Sequence, residues 1–174
     1  FFMTMFGIMG CTALLICGFA IKNTVESLAP RQYEQVYSYD LLAAASADNY
    51  DACLERLESA PEVSGLEPIG VDTVTVEYGG SKESMQLYVI PTGLSLDGYV
   101  TLTTMDGQLI DLAQEGGVIT NNAATVLGFS AGATVSLTDS ALAKADVTVN
   151  AITLNYLGNA VYMTEDAYEE LFGP

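Results

Sequence analysis

The first 21 residues constrain this chain most, because they contain no charged side chain and are followed by Lys22. As an α-helix rising about 1.5 Å per residue, such a stretch is roughly 30 Å long, which matches the hydrocarbon thickness of a bilayer. A secretory signal peptide would begin with basic residues and have a shorter apolar core. A lipoprotein anchor at Cys11 would leave an apolar new terminus, since the residues up to Ile21 stay apolar. We therefore predict a transmembrane helix.

The helical pattern continues past the apolar run. Ile21, Val25 and Leu28 recur at spacings of four and three, and Ala29-Pro30 is expected to end the helix. Residues 1–29 are thus predicted to form a transmembrane helix and stalk in a cell membrane. The scarcity of Lys and Arg afterwards favours an extracytoplasmic position for residues after about 22. Since the sequence does not begin with Met, we expect a fragment without its cytoplasmic start.

Charge and cysteine usage narrow the function classes. Residues 22–174 carry all 22 acidic and all five basic residues, which gives a net charge of −17. This charge argues against nucleic acid as a partner, because phosphate binding needs clustered cations. Two of the three cysteines, Cys11 and Cys17, lie in the apolar run, so Cys53 has no partner for an internal disulfide. There is no histidine and no CxxC pair, so the usual kinds of zinc site are excluded.

The first part of the remainder is predicted to contain a strand and a helix. Polar and apolar residues alternate over 33–45, as in a half-buried strand. Ser46 or Asp48 is expected to cap the following helix. The inner face of that helix comprises Tyr50, Cys53, Leu54 and Leu57. Cys53 is therefore interpreted as a core filler.

Glycine turns predict two hairpins. The first joins strands 73–78 and 83–90 through Tyr78-Gly79-Gly80-Ser81. The second joins 99–104 and 108–112 through Met105-Asp106-Gly107-Gln108.

Several shorter elements follow the second hairpin. The predicted elements are a strand at 118–119, a helix at 121–127 ended by Gly128, strands at 133–137, 147–154 and 161–163, and a final helix capped by Thr164. The predicted fold class is α+β: an N-terminal transmembrane and stalk helix followed by a mixed α/β extracytoplasmic domain of two small lobes. The expected division is 33–90 with 158–174 as the first lobe and 91–157 as an inserted, β-rich second lobe.

No catalytic, cofactor-binding or metal-binding residue is predicted. Residues 128–132 spell G-x-S-x-G, but a helix precedes the motif, a strand follows it, and Ser130 has no histidine base anywhere in the chain. We interpret its glycines as turn residues. There is no Walker A motif and no G-x-G-x-x-G motif.

Neither the carboxylates nor the tyrosines form a pattern that predicts a functional site. The carboxylate groups are Asp48 with Asp51, and Glu165, Asp166, Glu169 with Glu170. Neither group has EF-hand spacing, so solvated helix surfaces explain them better than a calcium or acid/base site. The ten tyrosines are spread over many elements and predict no continuous binding stripe.

Two motifs resemble the FtsX-like (MacB-type) ABC transporter permeases. The first comprises Gly117-Val118-Ile119-Thr120, Ala124, Leu127-Gly128 and residues 132–135, and is similar to the family pattern "gvviT..lA..lG...GD.v". The second comprises residues 155–164 and 168–173, NYLGNAVYMT and YEELFG, and is similar to "n.y..yvymt...yeelfg". Ala133 departs from the pattern, since the family usually has Asp there. The order of elements, a membrane helix with a stalk before an acidic outer domain, is also similar.

The resemblance implies a permease subunit that has no catalytic residue of its own. A separate cytoplasmic ATP-binding subunit would supply the energy, and the membrane helix and stalk would transmit its motion to an extracellular substrate or protein. The further partners implied are the membrane and a second permease subunit or pseudo-symmetric half. Because the sequence ends before any return helix, the first lobe is expected to be incomplete.

Two other functions stay open. One is a single-pass cell-surface protein whose outer domain binds a ligand or partner by itself. The other is a membrane-tethered hydrolase, which the absence of histidine disfavours.

Overall fold

A long exposed helix leads into an α/β domain. The computed structural model describes residues 2–173, the side chains of Ala47 and Glu115 excepted. Helix α1 (Phe2–Arg31) buries none of its described side chains against the rest of the chain. With the turn that follows, it is the one helix among residues 2–173 that is long and apolar enough to cross a membrane.

The helix does not end at Ala29-Pro30, so that prediction is wrong. Pro30 lies inside α1, and the chain continues into a five-residue π-helix, Gln32–Val36. Proline removes one main-chain donor from the helical ladder. The wider π spacing follows immediately, with the Tyr37 N–H donating to the Gln32 carbonyl at 2.9 Å.

The predicted strand at 33–45 is also wrong. Only Tyr37 pairs, in an isolated bridge to Val100, and Leu41 is 74% exposed. Gln32 and Val36 are four residues apart and both buried, so the helical period continues through this segment. The alternation of tyrosines therefore did not indicate a sheet.

A short 3₁₀ helix (Ala47–Asn49) precedes α2 (Tyr50–Glu58), which confirms the predicted helix. Its inner face is only half-buried. Neither Ser46 nor Asp48 caps it, since the N-cap position is Asn49, without a side-chain cap. Cys53 is half-buried and belongs to neither hydrophobic cluster, so its interpretation as a core filler is wrong.

Seven strands form one sheet in the order β5-β4-β1-β2-β7-β3-β6. The strands are β1 (Gly70–Tyr78), β2 (Ser81–Ile90), β3 (Gly117–Thr120), β4 (Thr134–Thr138), β5 (Lys144–Thr148), β6 (Ala151–Thr153) and β7 (Ala160–Thr164). The β2–β7 and β3–β6 pairs are parallel and the others antiparallel. The first predicted hairpin is confirmed: Tyr78 pairs with Ser81, and Gly79 and Gly80 have the positive φ values, 57° and 89°, that a tight turn needs.

The sheet is curled, because its two outermost strands are nearly consecutive in the chain. Strand β5 ends at Thr148 and β6 begins at Ala151, three residue steps that span at most about 11 Å. Between them lies Val149, fully buried, whose N–H donates to the Ala133 carbonyl at 2.9 Å. The single strand predicted at 147–154 is therefore divided, since the chain leaves one edge of the sheet and joins the other.

Two hydrophobic clusters lie on the sheet. The larger includes Val76, Leu87 and Met163 and packs against α4 (Asn121–Leu127) and α5 (Glu165–Phe172). The smaller includes Tyr162 and Leu102 and packs under the 94–112 loop.

Both predicted helix ends in this half of the chain are confirmed. Gly128 follows α4 in the left-handed conformation (φ 81°). Thr164 caps α5, its hydroxyl accepting from the Ala167 N–H at 3.3 Å.

The second hairpin has its predicted turn but no extended strands. Gly107 has φ 79°, and the Thr104 N–H donates to the Gln108 carbonyl at 2.8 Å. The pairing beyond it is a single bridge, Thr103 to Leu109. A short helix, α3 (Leu112–Glu115), follows and was not predicted.

The segments assigned to the two lobes meet in the one sheet. Strands β3 to β6, from 91–157, flank β1, β2 and β7, and hydrogen bonds join the two sets at β1–β4 and β3–β7. The division into lobes stays a prediction.

Candidate functional site at the junction of helix and domain

The long helix is fixed to the domain through one buried amide, Gln32. Its side chain is 1% exposed, at the first position of the π-helix. The Oε1 atom accepts from the Tyr156 N–H at 2.8 Å and the Leu157 N–H at 2.9 Å, and Nε2 donates to Asn155 Oδ1 in a short hydrogen bond. Glutamine can bind both main-chain donors and a side-chain acceptor because its amide carries both functions.

Asn155 extends this contact into the domain. Its N–H donates to Asn121 Oδ1 at 2.9 Å, at the start of α4. The side-chain Nδ2 of Asn155 donates to the carbonyls of Leu157 and Gly158 at 2.8 and 3.1 Å. The turn at 155–158, which Gln32 contacts, is therefore stabilised by its own hydrogen bonds and linked by another to α4.

The main chain after Gln32 holds a second segment. The Thr101 N–H donates to the Val36 carbonyl at 2.8 Å, and the Ser38 N–H donates to the Tyr99 carbonyl at 2.7 Å. Val36 is 3% exposed. We call Gln32, Val36 and Tyr37, with residues 99–101 and 155–158, the stalk joint. A displacement of α1 must act on both of the latter segments.

Five tyrosines lie at or beside the stalk joint. The prediction of no continuous binding stripe stays a prediction, but these rings are close together. They are Tyr33, Tyr37, Tyr39, Tyr88 and Tyr162, here called the tyrosine cluster. Ring centroids lie 6.2 Å apart for Tyr33 and Tyr37, 5.3 Å for Tyr37 and Tyr39, and 5.2 Å for the stacked pair Tyr88 and Tyr162. The Tyr37 and Tyr162 hydroxyls are 3.4 Å apart.

Burial raises the pKa of three of these phenols. It raises the pKa of Tyr88 to about 12, with smaller contributions from Tyr37 and Tyr39. The pKa of Tyr162 is raised further, first by burial and then by Tyr37, which also contributes a hydrogen bond. The pKa of Tyr39 is raised for the same first reason. At neutral pH the hydroxyls of Tyr39, Tyr88 and Tyr162 therefore carry no charge.

This arrangement as a whole has no local sequence signature, because its members come from three separate parts of the chain. Tyr88 and Tyr162 are directly opposite each other in the parallel β2–β7 pair, and that pairing was not predicted. Only Tyr33 and Tyr37, four residues apart, left a local signal. Gln32 and Asn155 are polar residues 123 positions apart, and their contact has no local signature.

The motifs considered for chemistry lie away from the stalk joint. Ser130 is exposed in the loop between α4 and β4, and Gly128 and Gly132 on either side have positive φ, as turn residues do. The carboxylates of α5 are exposed at its surface. Over residues 2–173, side chains of Ala47 and Glu115 excepted, no group of three or more His, Cys, Asp or Glu residues is placed to hold a metal ion.

Comparisons with known proteins give similarities to solved structures. No family model matches the chain, and no curated protein matches it significantly. Among solved structures, the chain is similar to the extracellular domain of noncanonic ABC-type transporter YknZ from Gram-positive bacteria. The sequence identity is 15% and the TM-score 0.43, over 80% of this chain and 75% of the other. Since identity and TM-score are both low, this similarity assigns neither family nor function.

Proposed function

We propose that this chain is the first membrane helix and extracytoplasmic domain of an ABC transporter permease subunit. The sequence resemblance supports this, and the second family-like motif begins at Asn155, within the turn that Gln32 grips. The motif residues therefore lie where a mechanical connection between helix and domain would need them.

The observation that carries the proposal is the stalk joint. Helix α1 exposes large apolar side chains along its length, such as Phe6, Leu14 and Phe19, and a bilayer would cover them. The same helix continues to Val36 and ends in a buried, hydrogen-bonded contact with the domain. A flexible tether would need no such contact, whereas a lever does.

In the proposed mechanism, a separate cytoplasmic ATP-binding subunit supplies the energy. Its motion passes through the membrane helices to the stalk joint, and the domain transmits it to an extracellular substrate or protein. The domain performs no catalysis. The lobes at 33–90 with 158–174 and at 91–157 are proposed as the parts that change posture, and a second permease subunit or pseudo-symmetric half completes the transporter.

The test uses the full-length protein in its host. After gentle solubilisation, a tagged chain should recover an ATP-binding subunit, and the complex should hydrolyse ATP in nanodiscs. Gln32→Ala should leave ATP hydrolysis but abolish transport. Gln108→Ala, at an exposed turn, is the matched control and should change neither. Recovery of a single-span protein without an ATPase would contradict the proposal and favour a surface-binding protein.

A further inference from the structure

A groove of about 470 Å³ lies beside the stalk joint, between the ends of β2 and β7 and the 91–113 segment. Its apolar wall is formed by Ile90, Leu96, Val100, Leu102, Leu109 and Ile110. The volume falls in the range of small-molecule sites, which is about 300–1,000 Å³. It is large enough for a short alkyl chain or for one or two side chains of a peptide.

The rim of the groove is acidic. Asp97 and Asp111 line it, and both are exposed. None of its lining residues is Lys or Arg. Lys82 and Lys144, which lie elsewhere, both pair with Glu77 at 3.2 and 3.3 Å. The groove therefore complements a positive charge and would repel an anion.

Leu109 adds an apolar contact that the fold does not use. Its side chain lines the groove yet is 79% exposed. Its neighbour Ile110 is fixed, because the Ile110 N–H donates to the Leu102 carbonyl at 2.9 Å. Covering Leu109 would remove apolar surface from water, which favours an apolar occupant.

One wall of the groove is the same segment that the stalk joint holds. Val100 bridges to Tyr37, and the Thr101 N–H donates to the Val36 carbonyl. The opposite wall comes from the sheet, at Ile90 and Thr164. A movement of the helix relative to the sheet must therefore change the distance between the two walls.

We propose that this groove binds an apolar ligand carrying a positive charge, and that its occupancy is coupled to the position of the stalk joint. The coupling between groove and stalk joint rests on the proposed function, whereas ligand binding in the groove does not. Coupling between sites is reciprocal, so a change at Gln32 must alter affinity in the groove. A second copy of the chain is a poor occupant, because it brings another net charge of −17.

The experiment measures binding of octylammonium to the full chain in nanodiscs, with empty nanodiscs as background. Octanol and octanoate are the neutral and anionic probes of the same length. Saturation-transfer NMR reports on the ligand, and hydrogen exchange over residues 94–112 reports on the site. Octylammonium should bind more tightly than octanol, and octanoate should not bind.

Two variants should weaken binding by different routes. Leu109→Ser should lower octylammonium affinity about tenfold through lost apolar contact. Asp111→Asn should lower it about three- to fivefold and leave octanol unaffected, since asparagine still caps α3 but carries no charge. The matched controls are Met105→Ser and Asp106→Asn, on the exposed turn outside the groove, and neither should change affinity.

The outcomes separate the two clauses. Equal binding in wild type, Leu109→Ser and Asp111→Asn, or protection outside residues 94–112, would overturn the groove as the site. Equal affinity for octanol and octylammonium would overturn the charge requirement, and loss of a dimer in Leu109→Ser would replace the ligand by a second copy. Binding that Gln32→Ala leaves unchanged would overturn the coupling alone. None of these results depends on recovering an ATPase, which tests the proposed function separately.

Discussion

The stalk joint buries a polar residue, whereas the β4–β5 turn exposes an apolar one. At the stalk joint a polar residue, Gln32, is 1% exposed and makes three hydrogen bonds. At the turn an apolar residue, Leu142, is 83% exposed and adopts φ 66°. Removing a hydrogen-bond partner from a buried amide costs free energy of folding. An exposed turn tolerates a residue of unfavourable backbone conformation, because substitutions at the surface usually change stability little. The first should therefore be sensitive to substitution and the second open to improvement.

The two regions also lie on different strands of the sheet. The turn that contacts Gln32 leads into β7, which begins at Ala160. The other turn joins β4 to β5, and strands β1 and β2 separate β4 from β7. Changes in the two regions should add independently.

The largest effect is expected at the stalk joint. Gln32→Leu should lower the free energy of unfolding by about 3 kcal/mol, because it leaves the buried Asn155 Oδ1 and the partly buried Tyr156 and Leu157 N–H groups without their partner. Urea denaturation in micelles measures the loss, and hydrogen exchange should rise first at residues 155–158. Glu34→Leu, at an exposed position of the same π-helix, is the control. Equal losses of unfolding free energy in both variants would contradict a stabilising role for the Gln32 hydrogen bonds.

The tyrosine cluster should lose stability at high pH. The pKa of Tyr88 is about 12 in the folded protein, above its ordinary value of 10.0, so the unfolded chain releases its proton first. This stabilisation is complete below pH 10 and should fall as the pH rises from about 10 towards about 12. Denaturation midpoints between pH 8 and 12 measure it.

Matched phenylalanine variants sharpen this result. Tyr88→Phe and Tyr162→Phe should each flatten the alkaline loss, because each removes a phenol whose pKa is raised by burial. Tyr50→Phe, at a 41% exposed position, should leave the pH profile unchanged. A flattened profile in the Tyr50 variant would contradict the role of burial.

The β4–β5 turn should respond in the opposite direction. Leu142→Gly should raise stability by about 1 kcal/mol, because glycine adopts positive φ without the steric cost that a leucine has. Asp139 would keep the turn closed, since its carboxylate accepts from the Ala143 N–H at 2.7 Å. Leu142→Ala retains the backbone cost and should give no gain. A gain of the same size in both variants would mean that side-chain exposure, not backbone conformation, is the cause.

The smallest effect is expected at Ser130. Ser130→Ala should change stability by less than about 0.5 kcal/mol, as exposed surface substitutions usually do. It should also leave any measured activity unchanged. Loss of an esterase or peptidase activity in this variant would revive the hydrolase hypothesis.

Local chemistry allowed much of the chain after residue 70 to be predicted. The Gly79-Gly80 turn, helix α4 with Gly128 at its end, and the Thr164 cap of α5 each depend on a few adjacent residues. The segment 33–45 was mispredicted for the opposite reason. Its alternation was real, but the burial of Gln32 and Val36 extended the helix through its first part.

The candidate site could not be predicted in the same way. The tyrosine cluster depends on the parallel pairing of β2 with β7, between residues more than 70 positions apart. The curled sheet depends on Val149, which links strands at opposite edges. Both are long-range pairings, and a local pattern does not specify which strand becomes a neighbour.

The sequence by itself determined the exposed apolar helix, the acidic character of the domain, its α+β class and its glycine turns. Each of these follows from the composition or from residues a few positions apart. Only the tertiary structure decided that Gln32 meets Asn155, that five tyrosines share one surface, and that the groove is walled by the segment the helix holds. The physical reason is that such contacts gain their energy from burial and complementary hydrogen bonding, and these exist only after distant parts of the chain have come together.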